Sequence, residues 1–200
     1  MKSVIFDVGM VLLHWDPRQI WVDDFVSMPE VEEFIEEIGF YDWHKQQDAG
    51  RSFAEGITDH AKKYPQHAEK LRKYDTHWDQ SISGAIEGTV AILNGLLRLE
   101  ASLYAITNYP AEKFKLARQR FDFLNVFVDA VVSGEERLIK PDPAIYRVLL
   151  DRNNLAARDC IFIDDSPANI DVANALGIDG ILFTGPNDLA TSLKERGFAI

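Results

Sequence analysis

Short apolar runs recur along the chain, and each ends at polar or small residues. Five of them lie at residues 4–6, 103–106, 130–132, 161–163 and 180–183. Runs without polar alternation are typical of parallel strands that are buried on both faces. Helical patterns separate the last four runs. This alternation predicts an α/β fold with a doubly wound, five-stranded parallel sheet.

Two helix starts are marked by an N-cap residue that is followed by proline. Asp142 and Ser166 are good N-cap residues, and the proline after each fits the first helical position. We therefore expect helices over residues 144–150 and 168–176. Asn187 is expected to cap the last helix of the chain.

Residues 16–84 follow a different pattern. This stretch is charged and aromatic, has helical periodicity and shows no convincing strand. We therefore predict two units: an α/β core formed by residues 1–15 and 85–200, and a small helical cap formed by residues 16–84. The cap is inserted after the first strand and packs over one end of the sheet. Its aromatic residues are expected to form a small core of their own.

Composition restricts the class of protein. The chain is 46% hydrophobic and 26% charged, as is usual for a globular protein. No apolar run approaches the roughly 20 residues that a membrane-spanning helix needs, and residues 1–9 lack the apolar segment of a signal peptide. The single Cys160 excludes an internal disulfide and fits a reducing compartment. We therefore expect a cytoplasmic protein.

The charge balance restricts the partners. The formal net charge is −11, which repels nucleic acid and anionic membranes at long range, so we expect neither as a partner. A small anionic substrate is compatible with this charge, because a bound cation and a few basic groups act within a Debye length of about 8 Å. The sequence leaves open whether the protein is a monomer or a homodimer.

Polar side chains follow four of the five predicted strands. In an open parallel sheet, chemistry gathers outside the carboxyl ends of the strands. The residues at those ends, in chain order, are Asp7, Thr107, Asn108, Lys140, Asp164 and Asp165. This convergence is the main functional signal in the sequence.

Three of these residues are carboxylates. If Asp7, Asp164 and Asp165 meet, they repel one another, by about 4 kcal/mol for two unit charges 4 Å apart at an effective dielectric constant of about 20. Either some stay protonated or a cation neutralises them. Mg²⁺ prefers such oxygen ligands. The alternative is that Asp7 is a loop acid and that Asp164 or Asp165 only caps the following helix.

The other three residues suit an anion. A hydroxyl and backbone N–H groups at a helix N-terminus, as at Thr107 and Asn108, bind phosphate or an oxyanion, although both residues are also good N-caps. Lys140 precedes Pro141, so its backbone is extended. An ammonium at that position offsets the charge of Asp7 and holds an anion.

Taken together, these segments resemble a known family. FDVGMVL, AITN, Lys140-Pro141 and FIDDSPAN are similar, in order and spacing, to the four motifs of the haloacid dehalogenase superfamily. The resemblance covers the whole chain and implies a Rossmann-like core. Residues 16–84 fall where members of subfamily I carry a small helical cap. The form D-x-G-x-V resembles the subgroup that includes α-D-glucose-1-phosphate phosphatase.

The resemblance implies roles for individual residues. Asp7 corresponds to the catalytic nucleophile, and Thr107 and Lys140 to catalytic, phosphate-binding residues, with Asn108 also binding substrate. Asp7, the backbone carbonyl of Gly9 and Asp165 would hold Mg²⁺, with Asp164 in support. Phosphatases of this family usually place an aspartate where this chain has Gly9, and that side chain protonates the leaving alcohol. Glycine cannot donate this proton. The residues nearest in the sequence that could donate it instead are His14 and Asp16.

Three functions follow, and the first is favoured. It is a Mg²⁺-dependent phosphatase that acts on a small phosphate monoester, such as a sugar phosphate, through an aspartyl phosphate at Asp7. The second is a 2-haloacid dehalogenase, which would use Asp7 without metal; the adjacent Asp164 and Asp165 argue against it. The third is a protein that keeps the fold and binds a ligand without turnover. Gly9 is the only feature of the sequence that favours it.

Overall fold

A computed structural model describes residues 2–200, and a parallel sheet forms the centre of this range. The strands are β1 (Ser3–Phe6), β2 (Leu13–Trp15), β3 (Ile82–Ala85), β4 (Leu103–Thr107), β5 (Asp129–Val132), β6 (Cys160–Asp164) and β7 (Asp179–Leu182). Five of them form the parallel sheet in the order β5-β4-β1-β6-β7. This confirms the predicted α/β doubly wound fold, and each of the five apolar runs contributes a strand.

Helices cover the sheet and fill the long excursion after β1. The α-helices are α1 (Met28–Glu37), α2 (Phe40–Asp48), α3 (Phe53–Lys63), α4 (Ala68–Thr76), α5 (Glu87–Arg98), α6 (Ala111–Arg120), α7 (Ser133–Glu136), α8 (Pro143–Arg152), α9 (Pro167–Ala175) and α10 (Pro186–Glu195). Short 3₁₀ helices lie at Pro17–Asp24, Pro65–His67, Trp78–Ser81, Asp122–Asn125 and Ala157–Asp159.

Alternation along the strands divides the interior into two apolar layers. In β1, the side chains of Val4 and Phe6 join one layer, to which α5 and α10 contribute, while Ile5 joins the other with α8 and α9. All three β1 side chains are fully buried. Successive side chains of a strand point to opposite faces, so an uninterrupted apolar run supplies both layers at once.

The helix-start predictions are partly confirmed. α8 begins at Pro143, and the Asp142 carboxylate accepts the backbone N–H of Ala144 at 2.8 Å, as an N-cap does. α9 also begins at its proline, but Ser166 makes no side-chain cap; its N–H donates to Asp164 instead. The cap predicted at Asn187 is wrong, because α10 begins one residue earlier and its N-cap is a glycine.

The excursion from residue 16 to residue 81 is helical and begins and ends at a small ribbon. β2 and β3 pair antiparallel, with Leu13 opposite Ala85. The expectation of no strand within residues 16–84 was therefore wrong for β3, a short strand whose sequence ISGA carries no strand signal. The apolar layer under α5 and α10 continues into the aromatic side chains of this excursion. Its treatment as a separate cap with bounds 16–84 stays a prediction.

Further expectations concern membrane spans, the location of the protein and its oligomeric state. None of the helices within residues 2–200 has the length and apolar character to cross a bilayer. The predicted cytoplasmic location and the choice between monomer and homodimer stay predictions.

The layer under α8 provides a test of the fold. Leu149 on α8 is fully buried, so Leu149→Ala is expected to lower the free energy of unfolding by ~2–5 kcal/mol, through lost burial and the cavity left behind. Leu116→Ala on α6 is the control, because Leu116 is 52% exposed, and it should change stability by less than ~0.5 kcal/mol. Urea denaturation measures both, and equal losses would contradict the packing described.

Candidate active site

The carboxyl ends of three neighbouring strands bring the predicted site residues together. Strand β1 lies between β4 and β6 in the sheet. Asp7 follows β1, Thr107 ends β4 and Asp164 ends β6, so the register of the sheet places all three at one edge. The N–H of Asp7 donates to the Ile163 carbonyl at 2.8 Å, which extends the β1–β6 pairing by one residue and fixes the Asp7 backbone.

The carboxylates of Asp7, Asp164 and Asp165 converge there. One oxygen atom from each lies within 4.8 Å of the others. Asp7 and Asp164 are buried, whereas Asp165 is exposed at the rim. The sheet thus produces the clustering of acids that the sequence predicts, and the metal-binding role of these residues stays a prediction.

A buried ammonium lies among these acids. Lys140, 3% exposed, follows α7 in the loop before α8. Its Nζ donates to Asp164 Oδ2 at 2.6 Å and to the Ile106 carbonyl at 3.0 Å, and lies 2.9 Å from Asp7 Oδ1. An ammonium has three donors, so these three acceptors satisfy it fully. The side chain therefore has one position, between two carboxylates.

Asn108 holds the loop that carries Lys140. Its Nδ2 donates to the Lys140 carbonyl at 3.0 Å, and its Oδ1 accepts the Lys140 N–H at 2.7 Å. This pair of bonds ties the end of β4 to the Lys140 backbone. Asn108 thus positions the lysine, and the predicted contact of Asn108 with substrate stays a prediction.

Asp164 is saturated with hydrogen bonds. Its Oδ1 accepts the Ser166 N–H at 2.8 Å and Asn169 Nδ2 at 2.9 Å, and its Oδ2 accepts Lys140 Nζ and Asn169 Nδ2, the latter at 3.0 Å. A carboxylate has about four acceptor positions. Asp164 therefore orients its neighbours and has little capacity left for another partner.

The electrostatics of the cluster favour a cation. Burial raises the pKa of Asp7 to about 7; Lys140 opposes this shift and Asp164 adds to it. Burial also raises the pKa of Asp165, as does the adjacent Asp164. Although burial alone would lower the pKa of Lys140, the carboxylates of Asp7 and Asp164 raise it. One ammonium offsets one of three carboxylates, so the oxygen-rich cluster fits a divalent cation such as Mg²⁺.

Thr107 and Gly9 complete the edge. Thr107 is fully buried, and its hydroxyl oxygen has no hydrogen-bond partner among the residues that the structure describes. Buried hydroxyls normally have partners, so this one is suited to a substrate oxygen. A Cβ added at Gly9 would meet no heavy atom within 4 Å, so neither sterics nor a positive φ angle demands a glycine there.

A cavity of about 270 Å³ opens above the acids. Asp7, Gly9 and Asp165 line it on the core side. The ribbon, α2, the 3₁₀ helix Trp78–Ser81 and the loop after β4 line the rest, with the aromatic side chains of Trp15, Tyr41, Trp78 and Tyr109 among them. His14 and Asp16 do not line this cavity. His14 is exposed on β2, and Asp16 accepts hydrogen bonds from Arg18, so neither replaces the side chain that Gly9 lacks.

Sequence reasoning missed Asp48 and His44, which lie on α2 and line the same cavity. Asp48 Oδ2 lies 3.3 Å from His44 Nε2, and His44 Nδ1 is hydrogen-bonded to the Tyr74 hydroxyl. The only signal in the sequence was the i, i+4 spacing of the histidine and the acid, which places them on one helix face.

Comparison with known proteins gives the family context. The family model described as haloacid dehalogenase-like hydrolase matches residues 4–183. The sesquiterpene phosphatase astK of Aspergillus oryzae is 26% identical over 98% of this chain and 95% of its own length. The chloroplast flavin mononucleotide hydrolase 1 of Arabidopsis thaliana is 29% identical over 58% of this chain, and the match spans 46% of the plant protein.

Solved structures share the fold. A haloacid dehalogenase family enzyme from Bacteroides thetaiotaomicron, crystallised with magnesium and inorganic phosphate, superposes with a TM-score of 0.74 at 22% identity. The match covers 92% of this chain and 95% of that one. The narrower resemblance to the glucose-1-phosphate phosphatase subgroup stays a prediction.

Lys140 provides a test of the site's electrostatics. Lys140→Met leaves Asp7 and Asp164 buried without their counter-charge, so we expect the free energy of unfolding in metal-free buffer to fall by ~3–5 kcal/mol. Lys115→Met on α6 removes an exposed ammonium and should cost less than ~0.5 kcal/mol. Urea denaturation compares the two variants. A Lys140→Met protein as stable as the control would show that the ion pairs do not hold this edge together.

Proposed function

Because this chain belongs to the haloacid dehalogenase-like hydrolases, it is a hydrolase, and we propose that it is a Mg²⁺-dependent phosphatase. Its substrate is a small phosphate monoester, which it hydrolyses through an aspartyl phosphate at Asp7. The observation that carries this proposal is the cluster of Asp7, Asp164 and Asp165 around a single buried ammonium.

The chain offers distinct ligands for Mg²⁺. Asp7, Asp165 and the Gly9 carbonyl would hold the ion directly. Asp164, whose acceptor positions are already occupied, supports them by fixing Lys140 and Asn169. When bound, Mg²⁺ neutralises the negative charge that develops on the transferring phosphoryl group. The Bacteroides neighbour crystallised with magnesium and phosphate supports this choice of ion.

Three side chains, those of Asp7, Thr107 and Lys140, act on the phosphoryl group in this proposal. Asp7 Oδ1 accepts the Val8 N–H at 2.7 Å and faces Lys140 Nζ, which leaves Oδ2 to attack phosphorus. Attack forms the Asp7 Oδ2–P bond and breaks the P–O bond to the alcohol. The unpaired Thr107 hydroxyl donates to a phosphoryl oxygen, and Lys140 stabilises negative charge beside it. Water then hydrolyses the aspartyl phosphate.

The cavity walls favour a flat or apolar alcohol. The lining is mostly apolar and includes Trp15, Tyr41, Trp78 and Tyr109, with Lys45 as a basic group. Aromatic walls gain free energy by burying apolar surface, and a sugar offers little of it. The names of a flavin mononucleotide hydrolase and a sesquiterpene phosphatase agree with such an alcohol, whereas a third relative is named a 6-phosphogluconate phosphatase. We therefore rank sugar phosphates, which the sequence suggested, below aromatic and aliphatic monoesters.

Residues 16–84 act as the cap in this proposal, over a core of residues 1–15 and 85–200. Tyr41 and Trp78 of this segment line the same cavity as Asp7, which supports this role. Lys113 on α6 joins the segment to the core, because its Nζ pairs with the Asp75 carboxylate and donates to the Asp75 carbonyl at 2.9 Å. Such a cover excludes water from the phosphoryl transfer and selects the alcohol.

The alternative functions have less support. A 2-haloacid dehalogenase uses an arginine of its cap for the halide and carboxylate, and no arginine within residues 2–200 lines the cavity. It has no use for the acids Asp164 and Asp165. A protein that binds without turnover would not require Asp7 to be fixed beside a buried lysine.

A substrate panel tests the function. We expect phosphate release from aromatic and aliphatic phosphate monoesters, less from sugar phosphates, and no halide release from 2-chloropropionate. Asp7→Asn should lower the rate of phosphate release by at least ~1000-fold, because the amide is a poor nucleophile. Asp59→Asn, at an exposed position on α3, is the matched control. An active Asp7→Asn protein, or chelator-insensitive chloride release, would refute the proposal.

Metal binding can be tested without turnover. Mg²⁺ at 100 times its Kd should stabilise the protein by about 2.7 kcal/mol, which corresponds to a rise in Tm of roughly 5–10 °C for a chain of this size. Asp165→Ala should abolish most of this rise. Asp171→Ala, which removes an exposed acid from α9, should keep it. The same Mg²⁺ response in all three proteins would exclude Asp165 as a ligand.

A further inference from the structure

The proposed phosphatase lacks a proton donor at its expected position. When the P–O bond to the alcohol breaks, the alkoxide must gain a proton, and the following water must lose one. Gly9 has no side chain for either task. His14 and Asp16 lie outside the cavity.

We propose that Asp48 is the general acid and general base of this site, an inference that rests on the proposed phosphatase function. Asp48 is the last residue of α2 and enters the cavity from the side opposite the core, whereas Gly9 lies on the core side. The acid–base group is thus supplied by the helical excursion, and Gly9 puts no side chain into the cavity that Asp7 and Asp48 line.

The surroundings of Asp48 leave one oxygen without a protein partner. Asp48 is 8% exposed, and its Oδ2 lies 3.3 Å from His44 Nε2. Its Oδ1 is buried and has no hydrogen-bond partner within residues 2–200. A buried polar atom without a partner is costly and uncommon. Asp48 lines the same cavity as Asp7, so its carboxyl group lies beside the space where a substrate oxygen or an attacking water would bind.

The position of Asp48 at the end of α2 disfavours its charged form. A negative charge at the C-terminal end of a helix is unfavourable, because the helix dipole is negative there. Asp48 occupies that end of α2 and makes no salt bridge with lysine or arginine among the described residues. The end of α2 therefore favours the protonated form of this carboxyl group over the charged form.

The protonation states suit an acid. The pKa of Asp48 is raised to about 8, mostly by burial and also by Asp7, while Lys140 opposes the shift. Burial lowers the pKa of His44 to about 4, so the imidazole 3.3 Å from Asp48 Oδ2 is neutral. At neutral pH the carboxyl therefore holds a proton that it can give away.

Asp48 gives up a proton when the aspartyl phosphate forms and takes one back when it is hydrolysed. Asp7 attacks phosphorus, the P–O bond to the alcohol breaks, and the alkoxide takes the proton from Asp48. Asp48 is then a carboxylate beside the aspartyl phosphate. It accepts a proton from water as the water oxygen attacks phosphorus, and the Asp7–phosphorus bond breaks. Inorganic phosphate leaves, and both carboxyl groups return to their starting states.

Two probes separate this role from a structural one. Benzyl phosphate releases a weakly acidic alcohol that needs a proton, whereas p-nitrophenyl phosphate releases a phenol that leaves without one. In rapid-mixing experiments with Mg²⁺, Asp48→Asn should slow alcohol release from benzyl phosphate by ~10²–10⁴-fold. The rate of the first release of p-nitrophenol should change little. Because the aspartyl phosphate then hydrolyses slowly in this variant, that release should appear as a burst of one equivalent per protein molecule.

The controls define what overturns the proposal. Asp42→Asn, at an exposed position on the same helix, should behave like the wild type on both probes. Circular dichroism checks the fold, and Asp48→Ser replaces the asparagine variant if that variant does not fold. Equal slowing on both probes, or no slowing on benzyl phosphate, would overturn the role of Asp48. A wild-type protein that cleaves neither probe would instead refute the phosphatase itself.

Discussion

The ion pairs between Lys140 and the two buried carboxylates are the interaction on which the site depends. A buried ammonium is tolerated only when its hydrogen bonds and its charge are satisfied, and here Asp7, Asp164 and the Ile106 carbonyl satisfy both. Their three strands are neighbours only because the sheet order changes direction at β1. The topology of the sheet thus creates the one place where this lysine can be buried, and the lysine in turn lets two acids lie close together.

The strands and the acidic edge could be predicted from the sequence because both are local signals. An apolar run that ends at Asp7 or at Asp164 identifies a strand and the residue at its end without knowledge of the rest of the chain. The ribbon of β2 and β3 could not be predicted, since three- and four-residue strands are defined by pairing with a partner about 70 residues away. Asp48 was missed for the same reason, because only tertiary packing places α2 over Asp7.

The two sides of the cavity have different physical characters. The core side is polar, crowded with charge and held by saturated hydrogen bonds, as at Asp164. The opposite side is aromatic and contacts the core through few polar links, such as Lys113 to Asp75. A rigid polar edge fixes the position of a phosphoryl group, and a broad apolar wall accepts alcohols of varied shape. Relatives named for different substrates share this hydrolase family.

The pairing of Leu13 with Ala85 has a consequence for how such a protein can change over evolution. The chain leaves the sheet region and returns to it at adjacent points, so the length of the intervening segment places no demand on the register of β1, β4 or β6. Loop closure becomes only slightly less favourable as such a segment grows. Insertions, deletions and wholesale replacement of the aromatic wall are therefore compatible with an unchanged charged edge. Selection can diversify recognition in one part of the gene while the reactive groups in the other part stay constant.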